Sequence, residues 1–319
     1  MNPSATNQLA IVSLSLNPAI DLTYQTQSLK HEQKSRATQT SYDPGGTGIN
    51  VGRALEILKA NSHTCYISAG KMGEFLEFML NQQLNNIHPL KINGETRINT
   101  TILQQSPKHQ YQINALGPVV TSKQFDEIIE KFLTLCGQGI GILTGSLPAK
   151  LANTSYQKIN IALKKQGARA IIDAPSAVLK HANDSQPFLI KPNLHELEIL
   201  QNKSLSQIED IAVEARSIVQ KGTQYVCVSL AERGAILTTP DNSYYCPSPS
   251  IEVCSTVGAG DSMVAGLAYA FAQQQSPEQA LKLAIACGAG TAKQAGTQLF
   301  KQEDIEPLLA KTNIKTLAI

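Results

Sequence analysis

The chain of 319 residues contains no tryptophan, only six cysteines and only 16% charged residues, with 27 basic side chains against 25 acidic ones. That balance, without any block of like charge, excludes the basic footprint of a nucleic-acid or membrane-surface binder. The cysteines, at 65, 136, 227, 246, 254 and 287, form no Cys-x-x-Cys pair and no Cys/His group of zinc spacing. They read as reduced thiols of a cytosolic protein. No run of about 18 apolar residues exists to span a bilayer. The opening MNPSATNQLAIVSLSLNPAID has no basic region ahead of its short, serine-broken apolar segment, which argues against a signal peptide and for a cytoplasmic location. The six histidines show no metal or triad spacing, no internal repeat occurs, and Gly-x-x-x-x-Gly-Lys-Ser/Thr is absent, so a P-loop is excluded.

What is present is an ordinary globular composition, 42% hydrophobic with 21 glycines and 15 prolines, in a chain long enough for one large α/β domain or two smaller ones. Short β-branched runs (LAIVSLSL, TCYISAG, GIGILTG, ARAIIDA, PFLIKPN, YVCVSL, GAILTT) alternate with helix-like segments such as GINVGRALEIL, EFLEFMLNQQ and YQKINIALKKQ. This predicts a mostly parallel sheet covered by helices. Residues 258–310 read as mainly helical.

Residues 22–42 and 96–117 break the rhythm. Both are polar, rich in Gln and Thr, and alternate in period two; the second predicts a hairpin turning at Ser106-Pro-Lys-His109. So few strands cannot hold a core alone, so they predict a small sheet projecting from the main body as a lid, a dimerisation surface, or both. Ile98, Ile102, Ile113 and Leu116 are its apolar insertions.

Three motifs carry chemistry. In STVGAGDSMVAGLA, Gly258 and Gly260 allow a tight turn into a helix whose first N–H groups suit a phosphate, and Asp261 is placed to take a proton from an attacking hydroxyl. The same aspartate also fits a simple first-turn acid complementing the helix dipole. In DPGGTGINVGRAL, Gly45, Gly46 and Gly48 precede a helical stretch with Asn50 and Arg53, a pattern for close approach to a polar substrate or for an ordinary strand-to-helix turn. In IKPNLHELEIL, Asn193 and Glu196 can hold the waters of a Mg2+ ion or can cap a helix. Lys34, Arg36 and Arg97, all expected in the small sheet, suit a substrate phosphate or are plain solvated charge.

Taken in order, SLNPAIDLTY, GGTGINVGRAL, LTGSLP, IIDAPS, KPNLHELE, VSLAERGA and STVGAGDSMVAGLA resemble the ribokinase-like (PfkB-type) carbohydrate kinases over nearly the whole chain. The resemblance implies an α/β fold, a three-layer α/β/α core around a mostly parallel sheet (residues 1–21, 43–95 and 118–319). It also implies a small β lid (22–42 and 96–117) that pairs with a second subunit to form a homodimer. It implies ATP and Mg2+, with Asp261 as catalytic base and Gly258, Ala259 and Gly260 offering N–H groups to the transferring phosphoryl. Asp21, Gly45, Gly46, Asn50 and Ser146 would hold the sugar, and Lys34, Arg36 and Arg97 its phosphate. Lys191, Asn193, Ser229, Gly234, Thr256 and Gln294 would serve the nucleotide, and Asn193 and Glu196 the metal through water.

Within that family, LNPAID and GxGINV are similar to the phosphosugar branch: 1-phosphofructokinases, tagatose-6-phosphate kinases and ribokinase-type 6-phosphofructokinases. Thr47 stands where the first two usually carry lysine, whereas EQKSR, TRIN and AGTQL are closer to the third. The implied reaction is transfer of the ATP γ-phosphoryl to the C1 hydroxyl of fructose 6-phosphate. The other two phosphosugars are alternative acceptors, and a non-catalytic sugar- or nucleotide-binding regulator is the alternative outside enzymes.

Overall fold

The computed structural model describes residues 9–318; the polar start of the segment read for a signal peptide lies outside them. The first apolar run forms β1 (Ile11–Ser15), buried at every position, as a parallel strand covered on both faces must be. Side-chain alternation sends Val12 and Leu14 into one core and Ile11 into another. Beside β1 lie β4 (Ser62–Ala69) and β8 (Ile140–Thr144), both parallel to it. The parallel ladder continues to β5 (Ile87–Ile92) on one side and through β9 (Arg169–Asp173), β10 (Leu189–Ile190) and β11 (Tyr225–Ser229) on the other.

Three antiparallel strands, β12 (Ala235–Thr238), β13 (Ser243–Cys246) and β14 (Lys315–Leu317), complete that edge of a ten-stranded sheet. The run GAILTT thus forms the expected strand but reverses direction, because the connection at residues 230–234 is too short for a parallel crossover.

Helices cover both faces. On one side pack α3 (Ser122–Cys136), α4 (Ser155–Lys165), α5 (Ser176–Asp184), α6 (Leu194–Gln201) and α7 (Ile208–Gln220), burying Phe132, Leu163, Leu179, Leu197 and Ile218. On the other lie α1 (Thr47–Ile57), α8 (Ala259–Ala272), α9 (Pro277–Ala292) and α10 (Gln302–Leu309). The small residues of α8 follow from its position: a Cβ added at Gly266 would meet the Ala284 Cα at 3.0 Å, so α8 and α9 touch backbone to backbone. A third cluster joins α2 (Gly70–Leu80) to Ile20, Ile49 and Tyr66.

The smaller sheet has four strands in the order β3-β2-β6-β7, from β2 (Ala19–Thr26), β3 (Ala37–Gly45), β6 (Arg97–Gln104) and β7 (His109–Ile113). β6 and β7 form the expected hairpin. β2 starts at Ala19 and β3 runs to Gly45, so both strands cross the boundaries drawn at 22 and 42 and carry their buried ends into the main body. Lys34 and Arg36 are not in strands, as expected from the alternation, but in the exposed connection between β2 and β3. Residues 27–36 are charged or polar except Leu29, and so supply no apolar face to pair against a neighbour.

Among the described residues no helix is long and apolar enough to cross a membrane. All six cysteines are free and only Cys254 is exposed.

Candidate active site

α8 begins at Gly258, its N-cap, with φ at 78° in the left-handed region where a side chain is strained. The first-turn N–H groups of such a helix have no intrahelical acceptors. Asp261 sits in that first turn, 6% exposed. Its Oδ2 accepts a hydrogen bond of 2.8 Å from the Asn50 amide, contributed by α1. Burial pushes the Asp261 carboxyl up to about 7; the Asn50 bond opposes that rise, Asp173 and Asp21 reinforce it, and Lys191 resists it. The group therefore changes protonation near neutral pH.

Two cavities meet at this turn. The smaller, of about 410 Å³, is lined by Asn50, Arg97, Asn99, Ser146, Asp173 and Asp261, with Gly46 and Gly258 in its wall. The larger, of about 830 Å³, has an apolar side of Pro249, Ile251, Val253 and Ile285. Asn193, Ser229, Gly234 and Thr256 line it as well, and Ala259 and Gly260 close the end that faces Asp261. Both volumes lie in the range of small-molecule sites, roughly 300 to 1,000 Å³.

The four-stranded sheet forms one side of the smaller cavity through Arg97 and Asn99. Asp21 on β2 lies opposite Asn99 on β6, and the Asn99 amide donates to Asp21 Oδ1 at 2.9 Å. Burial raises the Asp21 carboxyl, while the Asn99 bond and the Arg97 charge lower it. Asn99 Oδ1 is buried without a hydrogen-bond partner among the described residues, an acceptor left for a hydroxyl in the cavity. Gly45 is glycine for want of space: a Cβ there would lie 2.2 Å from Asp21 Oδ2. Arg97, two residues before Asn99 and on the same face, donates through Nε and Nη2 to the Asn17 carbonyl at 3.2 and 2.8 Å, and through Nη1 to the Ala115 carbonyl at 3.4 Å. The Asn17 amide in turn donates to Ser146 Oγ at 3.1 Å.

On the other side, Asn193 and Glu196 form a reciprocal cap at the start of α6. Asn193 Oδ1 accepts from the Glu196 N–H and Glu196 Oε2 from the Asn193 N–H, each at 2.9 Å. The capping alternative is therefore realised, yet Asn193 still lines the larger cavity and Glu196 the smaller. Burial raises the Glu196 carboxyl against the Asn193 bond. Lys191 lies beneath rather than in the cavity wall. Its ammonium is 3.2 Å from Asp173 Oδ2, and a Cβ on Gly260 would come within 3.6 Å of Nζ.

Gly46, Asn50, Arg97, Ser146, Gly258 and Asp261 thus line one cavity, with Asp21 and Gly45 behind it, Asp21 bonded to the lining residue Asn99, and Asn193, Ser229, Gly234, Thr256, Ala259 and Gly260 line the other. Besides Lys191, three further expected residues are not brought in. Lys34 and Arg36 are exposed and line neither cavity. The Gln294 side chain turns away from the larger cavity and donates to Asp304 Oδ2 at 3.2 Å and to the Gly290 carbonyl at 3.4 Å, because the acidic first turn of α10 offers it a carboxylate.

The structure adds Asn17, Asn99 and Asp173, which had been assigned no role. Asn99 was signalled by its two-residue spacing from Arg97 on a strand, and Asp173 by its place at the C-terminal end of a parallel strand, where α/β sheets bind ligands.

Residues 7–304 match the family model described as pfkB family carbohydrate kinase. The chain is 31% identical over 295 residues to the 1-phosphofructokinase of Bacillus subtilis (strain 168), covering 92% of this chain and 96% of that one. It is likewise 31% identical over 305 residues to the ATP-dependent 6-phosphofructokinase isozyme 2 of Escherichia coli (strain K12), covering 94% and 98%. The crystal structure of the Phosphofructokinase-2 from Escherichia coli in complex with substrates and products superimposes with a TM-score of 0.89 at 29% identity, over 95% of this chain and 98% of that one. The matched range includes the residues of both cavities and of the turn between them, and the chain belongs to the pfkB family of carbohydrate kinases, phosphotransferases with a sugar hydroxyl as acceptor that use ATP with Mg2+.

Proposed function

We propose that this kinase phosphorylates the C1 hydroxyl of fructose 6-phosphate, giving fructose 1,6-bisphosphate. The observation that carries the site assignment is that the two cavities share one wall, the first turn of α8, with a buried carboxylate on the sugar side and the backbone of Ala259 and Gly260 on the nucleotide side, where the Ala259 N–H has only a long bond of 3.4 Å to the Thr256 carbonyl. ATP fits the larger cavity: the apolar side suits a base, and the α8 start suits phosphate. Among the described residues no group of three or more His, Cys, Asp or Glu is placed to hold a metal. That fits Mg2+, which retains waters and leans on one or two carboxylates plus phosphate, here Glu196 and the Asn193 turn. When bound, the metal-nucleotide supplies the phosphoryl group and neutralises its charge.

The chain's own residues do the rest. Asn99 and Asp21 engage sugar hydroxyls, Arg97 and Ser146 hold the far end of the acceptor, and Lys34 and Arg36, which line neither cavity in this structure, meet its phosphate once the exposed β2–β3 connection moves over the bound sugar. Asp261 takes the proton of the attacking hydroxyl, a contribution of roughly 10² to 10⁴ in rate. The N–H groups of Gly258, Ala259 and Gly260 face the group in flight. The four-stranded sheet acts as the lid over this cavity, and its exposed side pairs with a second copy.

Thr47, EQKSR, TRIN and AGTQL support fructose 6-phosphate. The equal identity to a 1-phosphofructokinase supports a second reading, phosphorylation of fructose 1-phosphate; tagatose 6-phosphate is the third acceptor. The intact base position favours catalysis over a regulator. Comparing kcat/KM for the three phosphosugars in an ADP-release assay tests the choice: fructose 6-phosphate is expected to lead, and a higher value for either other sugar overturns the assignment.

A further inference from the structure

One charged side chain beside the site has no part in the reading above. Arg53 lies on α1 one turn after Asn50, where residues three apart share a face. Its Nη1 donates to Asn50 Oδ1 at 3.3 Å, to the Pro44 carbonyl near the end of β3 at 3.3 Å and to the Thr297 carbonyl ahead of α10 at 3.5 Å. Its Nε donates to Gln83 Oε1 at 2.7 Å. The guanidinium is thus braced by segments that are far apart in the sequence.

The Asn50 amide lies between two partners of opposite kind. A guanidinium carries five N–H donors and no acceptor, while an ionised carboxylate only accepts. Only one amide orientation serves both: Oδ1 toward Arg53 and Nδ2 toward Asp261, as observed. Reversed, the amide would set N–H against N–H and carbonyl against carboxylate. It would then be satisfied at Asp261 only by the protonated acid, which cannot accept a proton.

We propose that Arg53 is a positioning residue for phosphoryl transfer, acting through Asn50: its guanidinium locks the amide with the N–H side on Asp261 and so holds that carboxylate in its ionised, oriented form. The inference rests on the reading of Asp261 as the base. The other charged groups facing Asp261 are Asp21 on β2, Asp173 at the end of β9 and Lys191 after β10. None of them contacts the amide oxygen, so the lock falls to Arg53.

The test compares the parent enzyme with Arg53→Met, Arg53→Gln, Arg53→Lys, Asn50→Ala, Arg53→Met/Asn50→Ala and Asp261→Asn. Arg53→Met should lower kcat about 10- to 100-fold, the worth of one hydrogen bond to a charged group, with KM for ATP unchanged and the acid limb of the kcat/KM profile moved to higher pH. Arg53→Gln, which can accept as well as donate, should move the limb in the same direction even if the methionine variant folds poorly. Arg53→Lys, again a donor only, should restore most of the rate and the limb. In the Asn50→Ala background, Arg53→Met should cause no further loss of kcat. Losses that multiply in the double variant, or a pH profile that stays put in the glutamine variant, overturn the proposal. An Asp261→Asn enzyme with near-parental kcat overturns the base assignment and this inference together; an inactive one with multiplying losses removes this inference alone.

Discussion

Lys191 Nζ lies 3.2 Å from Asp173 Oδ2, the ammonium 5% and the carboxylate 15% exposed, at the C-terminal ends of neighbouring parallel strands. Burial pulls the Lys191 ammonium down, but Asp173 and the nearby Cys227 and Glu196 outweigh it and the net shift is upward. One buried cation therefore serves a site that also holds Glu196 and Asp261. Breaking a buried pair by deleting one member leaves an uncompensated charge and costs about 3 to 5 kcal/mol. Asp173→Asn should lose stability on that scale in urea unfolding, and Asp173→Asn/Lys191→Met should recover part of it. A single variant within about 0.5 kcal/mol of the parent would show that the pair does not hold the site together.

Replacing Asp261 by Asn keeps its shape and the Asn50 contact but removes the proton acceptor. kcat should fall by about 10² to 10⁴ with KM for ATP unchanged. In the parent enzyme, kcat/KM should rise with pH through about 7, as the carboxyl ionises. A parent profile flat between pH 6 and 8, or a variant with near-parental turnover, contradicts this.

The same carboxyl makes a separate prediction for stability. Its folded pKa, about 7, lies above the ordinary 3.8, so the fold binds this proton more tightly than the unfolded chain does. The associated stability is complete below about 3.8 and declines as pH rises through 7. Above that, ionisation in the buried site costs on the order of a few kcal/mol. Asp261→Asn escapes the penalty, so the Tm of the variant should exceed that of the parent most at pH 8 and the gap should narrow toward pH 4. A gap independent of pH refutes the assignment.

Much of this architecture was legible because parallel strands covered on both faces are continuous apolar runs, as in LAIVSLSL and ARAIIDA. β5 was not, since its half-buried edge position tolerates His88, Pro89 and Lys91 in one short run. The glycine motifs were legible because close approach leaves no alternative residue. Asn99 and Arg53 were not assigned a role, because theirs comes from contacts with segments distant in the chain: Asn99 meets Asp21 only through the β2–β6 register, and Arg53 gains its meaning only once α1 reaches α8. Gln294 does not reach the larger cavity although Ala292, two positions earlier, lines it, because the Gln294 side chain is held by the Gly290 carbonyl and Asp304.

Arg97 and Lys34 are expected to differ in how they fail. Arg97 holds the Asn17 and Ala115 carbonyls as well as facing the cavity, so Arg97→Ala should raise KM for the phosphosugar at least about tenfold, the loss of one charged hydrogen bond, and also lower Tm. Lys34 is exposed, so Lys34→Ala should raise the sugar KM and leave Tm alone. An unchanged sugar KM in the lysine variant would remove Lys34 from the phosphate site.

The outer edge of the four-stranded sheet is β7, exposed along its whole length. An open edge of this kind invites pairing unless it is charged or covered, and here it carries Tyr111 and Ile113, 44% and 62% exposed, followed by Leu116 at 88%. Isolated exposed apolar residues need no explanation, but several on one projecting sheet mark an interaction surface. The self-complementary partner for such a sheet is the same sheet of a second copy, related by a two-fold axis. Light scattering at micromolar concentration should therefore give the mass of a dimer, and Ile113→Asp/Leu116→Asp should give that of a monomer. On the proposal that this sheet closes the sugar cavity, the monomeric variant should also show a raised sugar KM with the nucleotide KM little changed. A parent protein that is already monomeric would refute the dimer, and a double variant that remains dimeric would place the association surface elsewhere.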